Sequence, residues 1–163
     1  MVDLAGDFKP GNDDGVVRMG GVRVGVAACY EVAEDAAYRM AVKGGAQLLT
    51  TPTNNATFGF ADMTYQQLAM SRMRAIELDR AVVVVATSGI SAMVHPDGTV
   101  SQHTGIFEAA HLVEELPLRE TLTPAARFGA ATEWALVLAG IVVALGAVVA
   151  SRRGYAASGT RAR

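Results

Sequence analysis

Residues 22–51 read VRVGVAACYEVAEDAAYRMAVKGGAQLLTT, and the order of patterns within this stretch sets the architecture. Residues 22–29 form a short apolar run, which is typical of a buried strand. Residues 34–43 predict a helix that stops at Gly44 and Gly45, where glycine suits a helix C-cap. Residues 47–51 form a second apolar run. A strand, a helix and a strand in this order predict a right-handed crossover between parallel strands.

The sequence that follows predicts one further helix and several strands. Asp62 is a candidate N-cap for a helix that runs to about residue 79. Its apolar residues recur at three- and four-residue steps and predict the buried face, which would consist of Tyr65, Leu68, Ala69, Met73 and Ile76. Residues 81–86, AVVVVA, are β-branched and strongly apolar, as in a central strand.

Shorter patterns complete the predicted domain. Residues 91–94 and 99–102 flank the turn sequence HPDG and predict two strands joined by that turn. Residues 112–116 predict a last short strand, and the first fifteen residues are rich in Gly, Asp and Pro and predict a loop. We therefore expect an α/β layered domain over residues 1–131.

An uncharged apolar segment follows this domain. Residues 134–150 read WALVLAGIVVALGAVVA, and at about 1.5 Å per residue they are just long enough to cross a hydrocarbon core. A buried core helix of this length seldom lacks a polar face. We predict one transmembrane helix over residues 132–151, with Trp134 as an interfacial anchor.

The charges around this helix predict its orientation. The tail, residues 152–163, contains arginines and no acidic residue, whereas charges of both signs precede the helix. Because positive charge collects on the cytoplasmic side, we expect a basic cytoplasmic tail and a domain on the outer face of the membrane. The formal net charge of −2 gives no indication of a nucleic-acid partner.

Candidate site residues follow three of the predicted strands. Cys29 ends the first strand, the loop of Asn54, Asn55, Thr57 and Phe58 follows the second, and Ser88 follows the most apolar one. The carboxyl ends of parallel strands meet at one edge of a sheet, where ligands usually bind. By itself a lone cysteine is more often a small buried hydrophobe than a nucleophile, so its reactivity depends on an activating neighbour.

Other chemistries are not indicated. One cysteine allows no internal disulfide. The three histidines, His95, His103 and His111, are dispersed and have no acidic or cysteine cluster at ligand spacing, so we expect no metal and no cofactor. Arg72, Arg74 and Glu77 have the spacing of a structural charge set on one helix.

Several motifs together are specific to one family. They are Cys29-Tyr30-Glu31, the block PTNNATFG at 52–59, YQQLAMSRMRAIELDR, VVVVATSGISAMVHPDGTV, and LTPAARFG at 122–129 just before the apolar segment. In this order they resemble the C-terminal part of apolipoprotein N-acyltransferases of the actinobacterial type, which belong to the nitrilase or carbon-nitrogen hydrolase superfamily. The resemblance extends over roughly residues 5–150.

The resemblance implies a partial nitrilase-type αββα sandwich on the outer face of the cytoplasmic membrane. It implies a Glu-Lys-Cys triad in which Cys29 is the nucleophile, with Tyr30 and Glu31 in supporting roles. The acyl donor would be a phospholipid, the intermediate a cysteine thioester, and the acceptor the N-terminal amine of a diacylglyceryl-cysteine apolipoprotein. Such chemistry suits a thiolate that attacks an ester and an amine that attacks the thioester.

The sequence departs from the family pattern in two places. Thr57 stands where many relatives have Trp, and only 28 residues precede Cys29, which is too few to include the family's Glu and Lys. Neither Asp7 nor Lys9 matches a triad position. We therefore expect a C-terminal fragment that is inactive alone. Two alternatives remain open, namely another nitrilase-type amidase and a non-catalytic membrane-anchored remnant.

Overall fold

The computed structural model describes residues 11–159, with side chains described through residue 148. The strands are β1 (Val16–Met19), β2 (Val22–Val26), β3 (Leu48–Asn54), β4 (Val82–Ser88), β5 (Ala92–Val94) and β6 (Val100–His103). The helices are α1 (Asp35–Lys43), α2 (Met63–Leu78) and α3 (Pro124–Gly159), and two short 3₁₀ turns cover Cys29–Ala33 and Ala56–Phe58.

The six strands form one sheet in the order β1-β2-β3-β4-β5-β6. β2, β3 and β4 are parallel neighbours, and the outer pairs are antiparallel. The predicted parallel pairing of β2 and β3, joined through α1, is confirmed, and β4 lies between β3 and β5 as its apolar run indicates. The three parallel strands place their carboxyl ends at one edge of the sheet.

The structure corrects the prediction at the first strand. β2 ends at Val26 and not at Cys29, which begins a 3₁₀ turn. β1, for which the sequence reading gave no strand, pairs with β2 as a hairpin across Gly20 and Gly21. Both glycines have positive φ angles, +56° and +86°, as a tight two-residue hairpin turn requires.

One face of the sheet carries a complete core against α1 and α2. Leu49, Val82 and Ala92 are fully buried there and pack with helix residues such as Tyr38 and Leu78. Gly25 lies on this face, and a Cβ there would come within 2.8 Å of both the Ala41 and Leu49 side chains. The packing of this face therefore leaves no room for a side chain at position 25.

The predicted apolar face of α2 is its buried face only at Leu68, which is partly buried against the core. Tyr65, Met73 and Ile76 are more than half exposed. The fully buried stripe instead has polar residues at its start and apolar residues at its end, and it consists of Thr64, Gln67, Ser71, Ala75 and Leu78. The physical reason is that α2 packs over polar side chains of β3: Ser71 Oγ lies 3.5 Å from Thr51 Oγ1, which in turn lies 2.7 Å from the Tyr38 hydroxyl. Burial raises the pKa of Tyr38, and its hydrogen bond to Thr51 offsets only part of that rise.

The opposite face of the sheet is an open apolar groove of about 550 Å³. Its floor consists of alternate strand residues, among them Val22, Leu48, Thr50, Val83, Val85 and Met93. Val85 is 49% exposed although it belongs to a central strand. A strand with apolar residues on both sides is typical of a sheet that is covered on both faces.

The predicted strand at residues 112–116 is not present as a strand. This segment is held beside β5 and β6 by side chains and not by a backbone ladder. Gln102 Nε2 donates to the Val113 carbonyl at 3.0 Å, and the Glu114 carboxylate lies 2.6 Å from both Ser101 Oγ and His95 Nε2. Residues farther along are held by the buried Arg80, which donates to the Thr121 carbonyl at 2.9 Å.

The chain divides into two compact units, residues 1–126 and 127–163. Within α3, residues Pro124–Val148 form a helix that is long and apolar enough to cross a membrane, with a mean hydropathy of 2.0 in its most apolar window. No residue of that window is buried. Its length and composition are those expected of a membrane-spanning helix.

Candidate active site

Cys29 occupies a strained position at the carboxyl edge of the sheet. Beyond β2 the chain stays against β3, because Ala27 N donates to the Thr50 carbonyl at 3.1 Å. Cys29 then adopts a left-handed conformation with φ of +52°, which costs a non-glycine residue about 1–2 kcal/mol. Strain of this kind persists only where neighbouring bonds hold it, and it concentrates at functional sites.

Glu31 provides one of those bonds. Its carboxylate Oε2 accepts a hydrogen bond from Ala28 N at 2.7 Å, and Glu31 N donates to the Ala28 carbonyl at 3.0 Å. The two bonds close a reciprocal cap around the start of the 3₁₀ turn. The supporting role of Glu31 stays a prediction, and the contact that the structure gives its carboxylate is this hydrogen bond to the backbone beside Cys29.

Arg74 on α2 holds the other end of the same turn. Its guanidinium donates to the Val32 carbonyl at 2.9 Å and to the Ala33 carbonyl at 2.8 Å. It also pairs with Glu77 and Asp35. Burial alone would lower the pKa of Arg74, but the hydrogen bonds to the two carboxylates outweigh burial and raise it. Arg74 and Glu77 therefore form a structural charge set, as their spacing indicates.

The ends of β3 and β4 are tied to each other at the same edge. Ser88 Oγ donates a short hydrogen bond to Asn54 Oδ1, and Asn55 N donates to the Ser88 carbonyl at 3.0 Å. Asn54 Oδ1 also accepts from Ala56 N at 3.1 Å, which starts the next 3₁₀ turn. The predicted convergence of the loops after these strands is thus present in the structure.

Gln67 connects the Cys29 turn to these loops. It lies on the buried stripe of α2 and is 5% exposed. Its Oε1 accepts from Asn55 Nδ2 at 2.8 Å, and its Nε2 lies 3.7 Å from Cys29 Sγ. Sequence reasoning missed Gln67 because it sought the inward face of α2 among the apolar residues. The available signal was polar spacing, since Gln67 and Ser71 lie four residues apart.

Apolar side chains line a small hollow next to Gln67. Its walls include Tyr30, Phe58, Met63 and Met70, and its volume is about 50 Å³. Met70 also lines a groove of about 490 Å³ that runs along α2 past Met73 and Val32. The hollow brings Tyr30 and Phe58 to the neighbourhood of the thiol.

Thr57 is a predicted site residue that does not line the hollow beside Gln67. It is exposed on the 3₁₀ turn Ala56–Phe58, whereas Phe58 on the same turn lines the hollow. The next aromatic residue, Phe60, is 80% exposed and contacts Phe107 edge to face with ring centroids 5.3 Å apart. On this turn it is thus Phe58, and not Thr57, that lines the hollow beside Gln67.

In the described part of the chain, this arrangement provides a thiol and a hydrogen-bond donor to it, but no side chain hydrogen-bonded to the thiol that could take up its proton. Among the residues that the structure describes, Gln67 is the one side chain that hydrogen-bonds the Cys29 thiol. An amide N–H stabilises negative charge on sulfur but does not take up a proton. A strained thiol just beyond a parallel strand, next to an amide donor, has the geometry expected of a candidate cysteine nucleophile in an α/β fold.

Comparison with known proteins identifies the family. Residues 7–123 match the carbon-nitrogen hydrolase family, and the chain belongs to it. The chain is 46% identical over 151 residues to the apolipoprotein N-acyltransferase of Mycolicibacterium smegmatis, which covers 93% of this chain and 25% of the relative. It is 33% identical over 144 residues to the Geobacter metallireducens apolipoprotein N-acyltransferase, covering 88% of this chain and 28% of that protein.

A solved structure agrees on the fold. The crystal structure of Saccharomyces cerevisiae Nit3, a member of branch 10 of the nitrilase superfamily, matches 62% of this chain and 40% of its own with a TM-score of 0.51 and 19% identity. The fold is thus a mixed α/β sheet of the nitrilase type, and the expected fold class is confirmed. The chain spans about a quarter of the length of the curated relatives that it matches.

Proposed function

We propose that this chain is the nucleophile-bearing part of an apolipoprotein N-acyltransferase. The observation that carries the proposal is the placement of Cys29, on a braced, strained turn beside the Gln67 amide donor and an apolar hollow. The 46% identity to an apolipoprotein N-acyltransferase over 93% of the chain supports the same assignment.

The proposed reaction has two steps. In the first, the Cys29 thiolate attacks the carbonyl carbon of a phospholipid ester, the ester C–O bond breaks, and the lysophospholipid leaves as an alcohol after it takes a proton. In the second, the α-amine of a diacylglyceryl-cysteine attacks the thioester, the C–S bond breaks, and an amide forms while the sulfur regains its proton. The phospholipid and the apolipoprotein are thus the proposed substrates.

The apolar hollow at the site supports an acyl substrate. Tyr30, Phe58, Met63 and Met70 offer contacts to hydrocarbon, and methionine side chains adapt to chains of irregular shape. A small-amide substrate would have no use for an apolar surface that continues along α2. This surface favours the acyltransferase over another nitrilase-type amidase.

We also propose that the general base and the oxyanion-stabilising lysine come from another part of the complete enzyme. The Glu31 carboxylate already accepts the Ala28 amide, and Gln67 has no group that titrates. The curated relatives have about four times the length of the matched segment and so have room for both groups. By this proposal the 163-residue chain alone has no N-acyltransferase activity.

The apolar part of α3 supports a place in the cytoplasmic membrane. With the arginine-rich residues 152–163 in the cytoplasm, the domain that carries Cys29 would face the outer side, where lipoprotein acceptors are presented. A Ser158→Cys, Cys29→Ser variant of the complete enzyme should resist an impermeant thiol reagent in intact cells and react after lysis. Labelling without lysis would reverse the proposed orientation.

A chimera tests the proposed function. This chain would replace the matching segment of the Mycolicibacterium smegmatis relative, in a strain depleted of its own N-acyltransferase. We expect mass spectrometry to show N-acylated lipoproteins with the chimera and none with its Cys29→Ser variant or with the 163-residue chain alone. Acylation by the Cys29→Ser chimera would rule out Cys29 as the nucleophile, and a folded chimera without activity would support a non-catalytic remnant.

A further inference from the structure

The side chain of Gln67 is fixed at both ends of its amide. On the acceptor side, Oε1 lies 2.8 Å from Asn55 Nδ2 and 3.2 Å from Thr53 Oγ1. The Thr53 hydroxyl also lies 2.8 Å from Asn55 Oδ1, which turns the Asn55 amide so that its NH₂ group faces Gln67. The single proton of the Thr53 hydroxyl goes to the nearer Asn55 Oδ1, so Asn55 Nδ2 is the donor to Oε1, and the Gln67 amide presents Nε2 to Cys29 Sγ.

Burial makes this orientation stable. Gln67, Asn55 and Thr53 are exposed by 5%, 1% and 6%, so water does not compete effectively for their polar atoms. Rotating the Gln67 amide by half a turn would place its NH₂ group against the Asn55 NH₂ group and leave a buried donor without an acceptor. Such an arrangement costs about 1–3 kcal/mol, so with the Asn55 amide in the orientation that the Thr53 contact favours, Gln67 keeps Nε2 toward the sulfur.

The consequence concerns the sulfur. An N–H group directed at a thiol contributes little, but the same group directed at a thiolate makes a charge-assisted hydrogen bond. Nucleophilic attack starts from the thiolate, and the second step of thioester transfer returns an electron pair to the sulfur. A donor held at this position therefore stabilises both the thiolate that attacks the ester and the thiolate that leaves when the thioester is cleaved.

We infer that Gln67 is a positioning residue for the nucleophile, which it holds through the Thr53–Asn55–Gln67 network and stabilises as a thiolate. The inference rests on the proposed function in one respect, namely that Cys29 is the reacting group. By this inference the loop after β3 has a defined role, which is to orient the Gln67 amide through Asn55. Asn55 thus acts on Cys29 through Gln67 and not directly.

Gln67→Glu is the sharpest test because it keeps an acceptor oxygen for Asn55 and Thr53 and replaces only the donor that faces the sulfur. Gln66→Glu is its matched control. It makes the same change one residue earlier on α2, at an exposed position. Cys29 is the one cysteine of the chain, so the rate of alkylation by iodoacetamide reports on it alone.

In the full 163-residue chain in detergent, we expect Gln67→Glu to raise the pH of half-maximal alkylation by about one unit or more, which is roughly a tenfold lower rate at pH 7. Gln66→Glu should shift that pH by less than about 0.3 units, because its carboxylate is solvated. Since more basic thiolates are more nucleophilic, the plateau rate at high pH should rise in Gln67→Glu. The pH–rate profiles of the wild type and Gln67→Glu should therefore cross, with the variant slower at pH 7 and faster at high pH. A merely structural role of Gln67 would not produce such a crossing.

Gln67→Met serves as a second variant, since it keeps the length of the side chain without any charge or donor. It should raise the half-maximal pH in the same direction and by less than Gln67→Glu does. Profiles of both Gln67 variants that overlay the wild-type profile would overturn the inference, as would equal shifts in Gln66→Glu and Gln67→Glu. If a Gln67 variant is unfolded by circular dichroism, the folded one decides. If both unfold, Gln67 is a core residue and the inference fails.

The two proposals fail separately. Iodoacetamide needs neither a lipid nor a general base, so the alkylation profile stands even if the chimera transfers no acyl group. Conversely, an active chimera whose Gln67→Glu variant has an unchanged pH profile would keep the proposed function and remove the role of Gln67.

Discussion

Leu48 and Leu49 are neighbours on β3, yet they lie in different surroundings. Leu49 faces α1 and α2 and is fully buried, whereas Leu48 faces the open groove and is only partly buried. The same contrast holds along β4, where Val82 and Val84 are buried and Val85 is 49% exposed. One face of the sheet is packed against helices, whereas the other carries apolar residues typical of a core that are partly exposed to solvent.

The contrast shows which part of the fold this chain specifies by itself. A domain of the αββα type buries each sheet between a helix layer and a second sheet. In the described residues α1 and α2 cover one face of the sheet, while the groove of about 550 Å³ lies on the other face, where a second sheet would pack. We propose that another part of the complete carbon-nitrogen hydrolase domain covers this face.

The largest expected effect is on the covered face. Leu49→Ala should lower the free energy of unfolding of the chain by about 2–5 kcal/mol, because it leaves a cavity in a packed core. Leu48→Ala, the matched control, should cost about 1 kcal/mol or less, since its side chain is already partly solvated. Urea denaturation followed by circular dichroism measures both. Equal losses would contradict the difference between the two faces.

An intermediate effect is expected when the groove receives a charge. Val85→Asp should change the unfolding free energy of the isolated chain by about 1 kcal/mol or less, because the site is half exposed. In the chimera with the Mycolicibacterium smegmatis relative the same variant should cost about 3 kcal/mol or more, because a covered groove would bury an unpaired carboxylate. Thermal melts of the two backgrounds compare the losses. Similar losses in both would indicate that nothing covers the groove.

The smallest effect is expected at the rim of the groove. Hydrogen bonds from Ser101 and His95 hold the pKa of Glu114 below its ordinary value of 4.5. A carboxyl group with a lowered pKa contributes stability above its ordinary pKa, and that contribution is lost as the pH falls through the lowered value. Glu114→Gln should therefore speed amide exchange in residues 111–116 at pH 7, and this effect should shrink as the pH falls through the lowered pKa, with no resolvable change in the global denaturation midpoint. Unchanged exchange at pH 7 would contradict this account of the segment.

The sequence alone predicts the parts of the fold that depend on apolar runs and chain breaks. β2, α1 and β3 follow from two apolar runs around a helix that ends at Gly44 and Gly45, and β4 follows from AVVVVA. The edge where Cys29, Asn55 and Ser88 meet follows from parallel strands alone. These features are local, or they follow from the handedness of the crossover, so no knowledge of packing is needed.

The sequence does not predict features that depend on what an element packs against. The apolar stripe of α2 predicts the wrong buried face, because its neighbours on β3 are the polar residues Thr51 and Thr53. Gln67 was missed for the same reason. Residues 112–116 resemble a strand in composition, but their partners are the side chains of Ser101, Gln102 and His95. β1 is mostly exposed and so has a weak apolar signal.

The central claim is that Cys29 is the acylated residue, and thioester trapping tests it most directly. The chimera would be incubated with a phospholipid that carries a labelled acyl chain, and the label would be located by mass spectrometry of the peptide that contains Cys29. We expect label on Cys29 that hydroxylamine removes. The Cys29→Ser variant should carry no label while the protein remains folded. Label that persists in the Cys29→Ser variant, or label elsewhere that hydroxylamine does not remove, would contradict it.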